Sequence, residues 1–245
     1  MRIILNGALG RMGTEVDNII KKGYKGIEVA AYCDANSAAP GIYNKLTDIT
    51  EQADVIVDFS HHSATEELCA FALAKSIPLV IATTGQTEDE IAIIQTASRA
   101  VPIFLSPNMS AGVAFLNAVV RKAAMFFGDA DIEIVERHHN QKLDAPSGTA
   151  KLLAETIKSI TGGEIVTTRN SFSPRKKGDI GISAVRGGNV KGIHEVTFYT
   201  DSETFTVTHS AENRGMFAQG ALTAALFLKD QKPGLYTMKD LFGDV

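Results

Sequence analysis

The sequence predicts an α/β protein: a doubly wound parallel-sheet domain followed by a smaller α+β domain with a mixed, largely antiparallel sheet. Three observations predict it. Through the first part of the chain, short and wholly apolar strands alternate with helical stretches. After Pro107 the rhythm changes to a long apolar helix and strands separated by polar turns. The 245 residues are 44% hydrophobic and 21% charged, an ordinary globular balance that excludes a disordered or fibrous chain. A chain of this length buries about 70–75% of its unfolded surface and needs no disulfide or metal staple.

The elements follow in order. Arg2 to Asn6 is an apolar strand. Gly10 to Lys22 carries Met12, Val16, Ile19 and Ile20 at helical spacing, with Gly23 as its stop. Ile27 to Cys33, Asp54 to Phe59, Pro78 to Ala82 and Pro102 to Leu105 read as strands. Ala64 to Lys75 and Glu88 to Arg99 read as helices between them. Strands without polar alternation imply a parallel sheet covered on both faces. Beyond Pro107, Ala111 to Phe127 is a helix with Gly128 as its cap. Asp131 to His138, Ile180 to Val185, Glu195 to Thr200 and Phe205 to His209 are strands. Ser147 to Ile160 and Met216 to Leu228 are helices. The basic cluster Arg175-Lys176-Lys177 reads as a solvated loop.

Composition narrows the function. The net charge of −4 and pI near 5.9 argue against a nucleic-acid partner. Cys33 and Cys69 are too few for a disulfide framework or a zinc site and read as buried thiols, which suits a reducing cytoplasm. Met1 to Asn6 is too short for a secretory segment, and no run reaches the roughly 18 apolar residues of a membrane span.

The first strand runs into Gly7-Ala8-Leu9-Gly10-Arg11-Met12-Gly13. Between a strand and a helix, such glycines let the backbone approach a pyrophosphate, and the helix N-terminus offers N–H groups. Asp34 ends the second strand about 20 residues further on, where an acidic residue accepts from ribose hydroxyls. This points to a Rossmann-like dinucleotide site. No Arg or Lys sits beside Asp34 to receive a 2′-phosphate, so NADH is expected to serve at least as well as NADPH. Ala82-Thr83-Thr84 and Ser106-Pro107-Asn108-Met109 follow two further strands, at the carboxyl ends where ligands bind.

The most informative stretch is Glu136-Arg137-His138-His139-Asn140-Gln141-Lys142-Leu143-Asp144-Ala145-Pro146-Ser147-Gly148-Thr149-Ala150. Arg137, His138, His139 and Lys142 concentrate potential positive charge in an acidic chain. Ser147 is an N-cap, and Gly148 and Thr149 expose N–H groups in a first helical turn that suits carboxylate or phosphate. His138 can donate a proton near neutral pH, and Lys142 can donate or stabilise negative charge. Four residues apart in a β-like segment, both would face one side. A metal pair of His138 and His139 is disfavoured, because adjacent strand residues point to opposite faces, and no metal is expected.

These motifs resemble the dihydrodipicolinate reductase family of the diaminopimelate/lysine pathway. The resemblance runs end to end: GALGRMG at 7–13, DVIVDFSHHSAT at 54–65, TTG at 83–85, SPNMSAGV at 106–113, HHNQKLDAPSGTA at 138–150 and IGISAVRGG at 180–188. It implies a nucleotide domain from residues 1–107 and 214–245, a substrate and oligomerisation domain from 108–213, and a homotetramer. It implies that a cyclic imine dicarboxylate loses water and accepts hydride from NAD(P)H. His138 and Lys142 then become proton donors, His139 a substrate contact, and Gly148 and Thr149 the holders of a substrate carboxylate. Gly7, Ala8, Leu9, Gly10, Arg11, Met12, Asp34, Ala82, Thr83, Thr84, Ser106, Pro107, Asn108 and Met109 become the cofactor shell. Three positions depart from many relatives: Ala82 replaces Gly, Gln141 replaces a third His, and Ala35 replaces the Arg of NADPH-tolerant members. Hydride transfer needs its two carbons nearly in contact, so closure about the connections near Pro107 and Asn213 is expected. Another nicotinamide dehydrogenase or a nucleotide sensor is the competing reading; the intact His138 and Lys142 argue against a sensor.

Overall fold

The computed structural model describes residues 1–37, 39–167, 169 and 174–243. Its elements are β1 (Arg2–Asn6), α1 (Arg11–Lys21), β2 (Glu28–Cys33), β3 (Ile42–Tyr43), β4 (Val55–Asp58), α2 (Thr65–Lys75), β5 (Leu79–Ile81), α3 (Glu88–Ala97), β6 (Pro102–Leu105) and α4 (Ala111–Phe126). Then come β7 (Asp131–His138), α5 (Gly148–Thr161), β8 (Ile165–Val166), β9 (Ile180–Arg186), β10 (Ile193–Tyr199), β11 (Thr204–Ser210), α6 (Gly215–Leu228), β12 (Gly234–Tyr236) and α7 (Met238–Phe242). They form two compact units, Met1–Ala111 with Arg214–Gly243, and Gly112–Asn213.

The first unit holds a seven-stranded sheet, ordered β12-β6-β5-β4-β1-β2-β3, and every pairing is parallel. The order reverses direction between β1 and β4, the place where open α/β sheets bind ligands. Successive strand residues point to opposite faces, and both faces are apolar. Ile3, Leu5, Val55, Val57, Val80 and Phe104 pack with α1 and α6 on one side. Ile4, Ile56, Leu79, Ile81 and Ile103 pack with α2 and α3 on the other. That double burial is why these strands lack polar alternation. Cys33 and Cys69 are buried free thiols on the second face.

The second unit holds a mixed five-stranded sheet, ordered β11-β10-β7-β9-β8. The β10–β11 and β10–β7 pairs are antiparallel, while β7–β9 and β8–β9 are parallel. The parallel share exceeds the sequence expectation because α5 crosses between β7 and the strands beyond it. One face carries the core: Ile132, Ile134, Ile180, Ile182, Val196 and Phe198 pack against residues of α4 and α5.

Some local expectations need correction. Gly128 is not a left-handed cap; α4 ends at Phe126 and runs into turns closed by the Phe127 and Ala130 N–H groups. The short elements β3, β8, β12 and α7 lie outside the expected set, since two to five residues carry no readable periodicity. Residues 244–245 of the expected nucleotide domain lie outside the described residues.

Gly220 in α6 shows how tightly the first unit packs. A Cβ there would stand 1.7 Å from the Met109 carbonyl oxygen. That neighbour is backbone and yields poorly, so Gly220→Ala is expected to lower stability by roughly 1–3 kcal/mol. Urea denaturation followed by circular dichroism tests this, and an unchanged midpoint would contradict it.

Candidate active site

In the first unit the glycine loop sits at the carboxyl ends of β1 and β4. Gly7 has φ of +75°, and a Cβ on it would meet the Phe59 carbonyl oxygen at 2.5 Å. A Cβ on Gly13 would meet the Gly7 oxygen at 2.2 Å, so α1 packs directly onto the loop. Gly10 caps α1 without a side chain, which leaves first-turn N–H groups without side-chain capping. Gly7, Gly10 and Asp34 line one cleft of about 410 Å³ with Asn36, His61 and Glu67. The Asp34 carboxylate accepts from the Leu9 N–H at 2.9 Å and the Asn36 N–H at 3.1 Å, so it also shapes the loop. Among the described residues no Lys or Arg lines this cleft. A close-approach loop, an open helix N-terminus and a carboxylate at the second strand end fit a dinucleotide.

The other expected cofactor residues have local work. The Thr83 hydroxyl donates to buried Asp58 at 2.6 Å. Asp58 also accepts from Asn6 at 2.8 Å and from the Ser60 hydroxyl and N–H. Burial pushes the Asp58 carboxyl up, against these hydrogen bonds. The Ser106 hydroxyl donates to the Asn108 carbonyl at 2.8 Å, and the Met109 side chain lies in the apolar core. Thr84 and Pro107 are exposed, Ala82 is half-buried, and Leu9 and Arg11 are exposed at the loop.

In the second unit the alternation of β7 sets the site. Ile132, Ile134, Glu136 and His138 all face inward. Glu136 and His138 thus end an apolar row, beside the start of α5. The Glu136 carboxylate lies 2.5 Å from His138 Nδ1 and accepts from the Ser147 N–H at 3.0 Å. Arg186 donates to both its oxygens, at 2.8 and 2.7 Å, and also to the Asp144 carbonyl at 2.6 Å. His194, opposite Glu136 in the β10–β7 register, is linked through Nε2 to the Ser147 hydroxyl at 2.9 Å. Its ring meets that of His138 edge-on at 5.1 Å. Ser147 caps α5 by accepting from the Ala150 N–H.

Burial alone would raise the Glu136 carboxyl; hydrogen bonds from Arg186, then His138 and Ser147, outweigh it and hold it below the usual range. Burial pushes His194 down to about 4, with the neighbouring His138 acting the same way. The Lys142 amine donates to Asp144 at 2.7 Å and lowers that carboxyl.

The expectation that His138 and Lys142 share one side of a β-like segment is corrected. β7 ends at His138, and the Lys142 N–H closes a turn onto the His139 carbonyl at 3.2 Å. Strand periodicity therefore does not relate the two; the turn and Asp144 place Lys142. Gly148 is exposed and Thr149 half-buried in the first turn of α5, and His139 is half-buried just after β7. Glu136, Arg186 and His194 were missed by sequence reasoning. The Glu136 signal was available: an acidic residue in phase with two core isoleucines has to be paired. Arg186 and His194 arrive through pairings that no local pattern reveals.

Residues 1–109 match the family model described as dihydrodipicolinate reductase, N-terminus, and residues 112–242 match its C-terminus counterpart. Two relatives named 4-hydroxy-tetrahydrodipicolinate reductase come from Caldanaerobacter subterraneus subsp. tengcongensis, at 45% identity, and Alkaliphilus oremlandii, at 42%. Each match covers 98% of both chains. Among solved structures, a dipicolinate-bound dihydrodipicolinate reductase from Paenisporosarcina sp. TG-14 shares the fold, with a TM-score of 0.82, 22% identity and 98% of each chain covered.

His194 makes stability pH-dependent. Unfolded histidine titrates near 6.5, whereas the folded ring stays neutral down to about 4. Its contribution is therefore present above pH 6.5 and lost as pH falls through that window, by at most about 3 kcal/mol. Urea unfolding of wild type and His194→Gln from pH 7 to 4 should show their difference changing by this order. Parallel curves would refute the buried neutral ring.

Proposed function

The chain belongs to the dihydrodipicolinate reductase family, and on that premise we propose that it reduces 4-hydroxy-tetrahydrodipicolinate, through loss of water, to tetrahydrodipicolinate in lysine biosynthesis. A nicotinamide dinucleotide supplies the hydride when bound. The observation that carries this reading is the buried Glu136, bonded to both the His138 ring and the first N–H of the α5 cap. Such an arrangement sets an acid–base group beside an anion-binding helix start.

The substrate is a dicarboxylate. The first turn of α5, with Gly148 and Thr149, receives one carboxylate, and His139 adds a contact. Lys142 supplies positive charge beside the same turn. Loss of water leaves a carbon–carbon double bond conjugated with the imine; hydride would add at the far ring carbon of that system, and negative charge would develop through it toward the ring nitrogen, where His138 or Lys142 donates a proton. His138 Nδ1 is committed to Glu136, so Nε2 is the atom that moves a proton. A Cβ on Gly192 would stand 3.0 Å from that Nε2, so the glycine keeps the edge of the ring open.

Gly7 to Met12 and Asp34 would hold the pyrophosphate and adenosine ribose; Ala82 to Thr84 and Ser106 to Met109 would hold the nicotinamide end. With Asp34 and Glu67 in the cleft and no basic side chain lining it among the described residues, a 2′-phosphate is disfavoured, and NADH serves at least as well as NADPH. The outward face of the five-stranded sheet, with Val185 and Tyr199 exposed, is the surface for a homotetramer. Two buried free thiols suit the reducing cytoplasm.

Purified protein should oxidise NADH when pyruvate and aspartate semialdehyde are condensed by the synthase in the same cuvette, with NADPH run in parallel. No oxidation by protein that binds NADH would reject the activity, and a strong NADPH preference would reject the role given to Asp34. His138→Gln should lower turnover by about 10²–10⁴-fold with NADH affinity unchanged. Lys142→Ala should damage both turnover and substrate affinity. An effect of Lys142→Ala on cofactor affinity alone would contradict its placement.

A further inference from the structure

We propose that Glu136 is a positioning residue with two tasks: one carboxylate oxygen aims His138, and the other fixes the N-terminus of α5 that receives the substrate carboxylate. The inference rests on His138 as the proton donor. It adds that donor and carboxylate cradle are not set independently, because a single rigid group spans them.

Four contacts converge on two oxygens. Oε2 takes His138 Nδ1 and one Arg186 nitrogen, while Oε1 takes the Ser147 N–H and the other Arg186 nitrogen. Glu136 is 0% exposed, so its hydrogen bonds have to come from groups inside the protein. Arg186 in turn holds the Val185 and Asp144 carbonyls, which anchors the far side of the loop between His138 and Ser147. The carboxylate therefore cannot swing toward one partner without losing another. The groups around His138 are Glu136 on its own strand, Arg186 on β9 and His194 on β10, with Lys142 and Asp144 in the following loop. Among the described residues only Glu136 touches Nδ1.

The amide of glutamine cannot replace this group. Ser147 N–H and the two Arg186 nitrogens are donors, and His138 Nδ1 donates when it carries its proton. An NH₂ at Oε2 would oppose Arg186 and donate to Nδ1, which moves the ring proton to Nε2. An NH₂ at Oε1 would oppose the Ser147 N–H and push the cap of α5 away. Either way one of the two tasks fails. Aspartate keeps the charge and the acceptors but is one methylene short.

The test begins with the wild-type enzyme. Two-bond nitrogen–proton correlation spectra of protein labelled with ¹⁵N-histidine should show neutral His138 with its proton on Nδ1; a proton on Nε2 overturns the proposal. In the full chain, Glu136→Gln should lower turnover about 100-fold. It should also weaken binding of dipicolinate, used as a dicarboxylate probe, by about tenfold, the size of one misdirected hydrogen bond. NADH affinity should stay within about twofold. Glu136→Asp should recover part of the dipicolinate affinity, and it serves as the second variant where the glutamine form does not fold. Turnover and dipicolinate affinity both within about twofold of wild type in Glu136→Gln overturn the proposal, and lost turnover with unchanged dipicolinate affinity overturns the second task. In a His138→Gln background, Glu136→Gln should change turnover less than about threefold, because it acts through the ring. Full turnover by His138→Gln alone sinks the underlying reading, whereas the tautomer and the dipicolinate affinities judge the positioning role.

Discussion

A carboxylate sealed from water must receive its hydrogen bonds from the protein, and Glu136 imposes that requirement on everything around it. Strand alternation places it on the core side of β7, in the row that begins with Ile132 and Ile134. It cannot turn outward without moving both isoleucines to solvent. The surrounding chain therefore supplies donors: an arginine from β9, an imidazole from the same strand and the first N–H of the α5 cap. Removing one partner from such a buried cluster costs more than the cluster contributes as a whole. The geometry of the site is thus set by the need to satisfy one ion.

Asp58 in the first unit meets the same requirement differently. It is fully buried at the end of β4, but its donors are neutral: Asn6 from β1, Ser60 beyond its own strand and Thr83 beyond β5. Without a cation, burial wins and the carboxyl is raised. Its effect is to tie together the strand ends from which the glycine loop and the Thr83 loop depart. Gly7 and Gly13 complete that junction, since a side chain on either would collide with backbone. One unit fixes its loops with a network of neutral donors, and the other fixes the His138 ring through a carboxylate paired with Arg186.

The fold was legible where periodicity was long. Ile3-Ile4-Leu5 and Val55-Ile56-Val57 fill both faces of a parallel sheet, as runs without polar alternation do where both faces are covered. The Ser147 cap and the exposed glycine loop were legible because they depend on local backbone chemistry. β12 was not: Gly234-Leu235-Tyr236 becomes a strand only because Pro102 to Phe104 lies beside it. Arg186 and His194 were hidden for the same reason, since each owes its place to a partner on another strand. Strand periodicity does not place Lys142, because β7 ends at His138, four residues before it. Thr83 and Ser106 are expected ligand groups from sequence, and their hydroxyls also close hydrogen bonds within the protein.

Lys142 and Arg186, the two cations of this cluster, are held differently. Lys142 is held by Asp144, whose side chain is 55% exposed, and a pair that open to water is worth at most about 1 kcal/mol. Exchanging Asp144 for another carboxylate would cost the pair little, because the displaced group regains its hydration. Arg186 is held otherwise. It is bidentate on a wholly buried carboxylate, and releasing it would strand that ion without a counter-charge. Of the two cations, therefore, Lys142 is loosely held, while Arg186 stays fixed and keeps Glu136, and through it the His138 ring, in place.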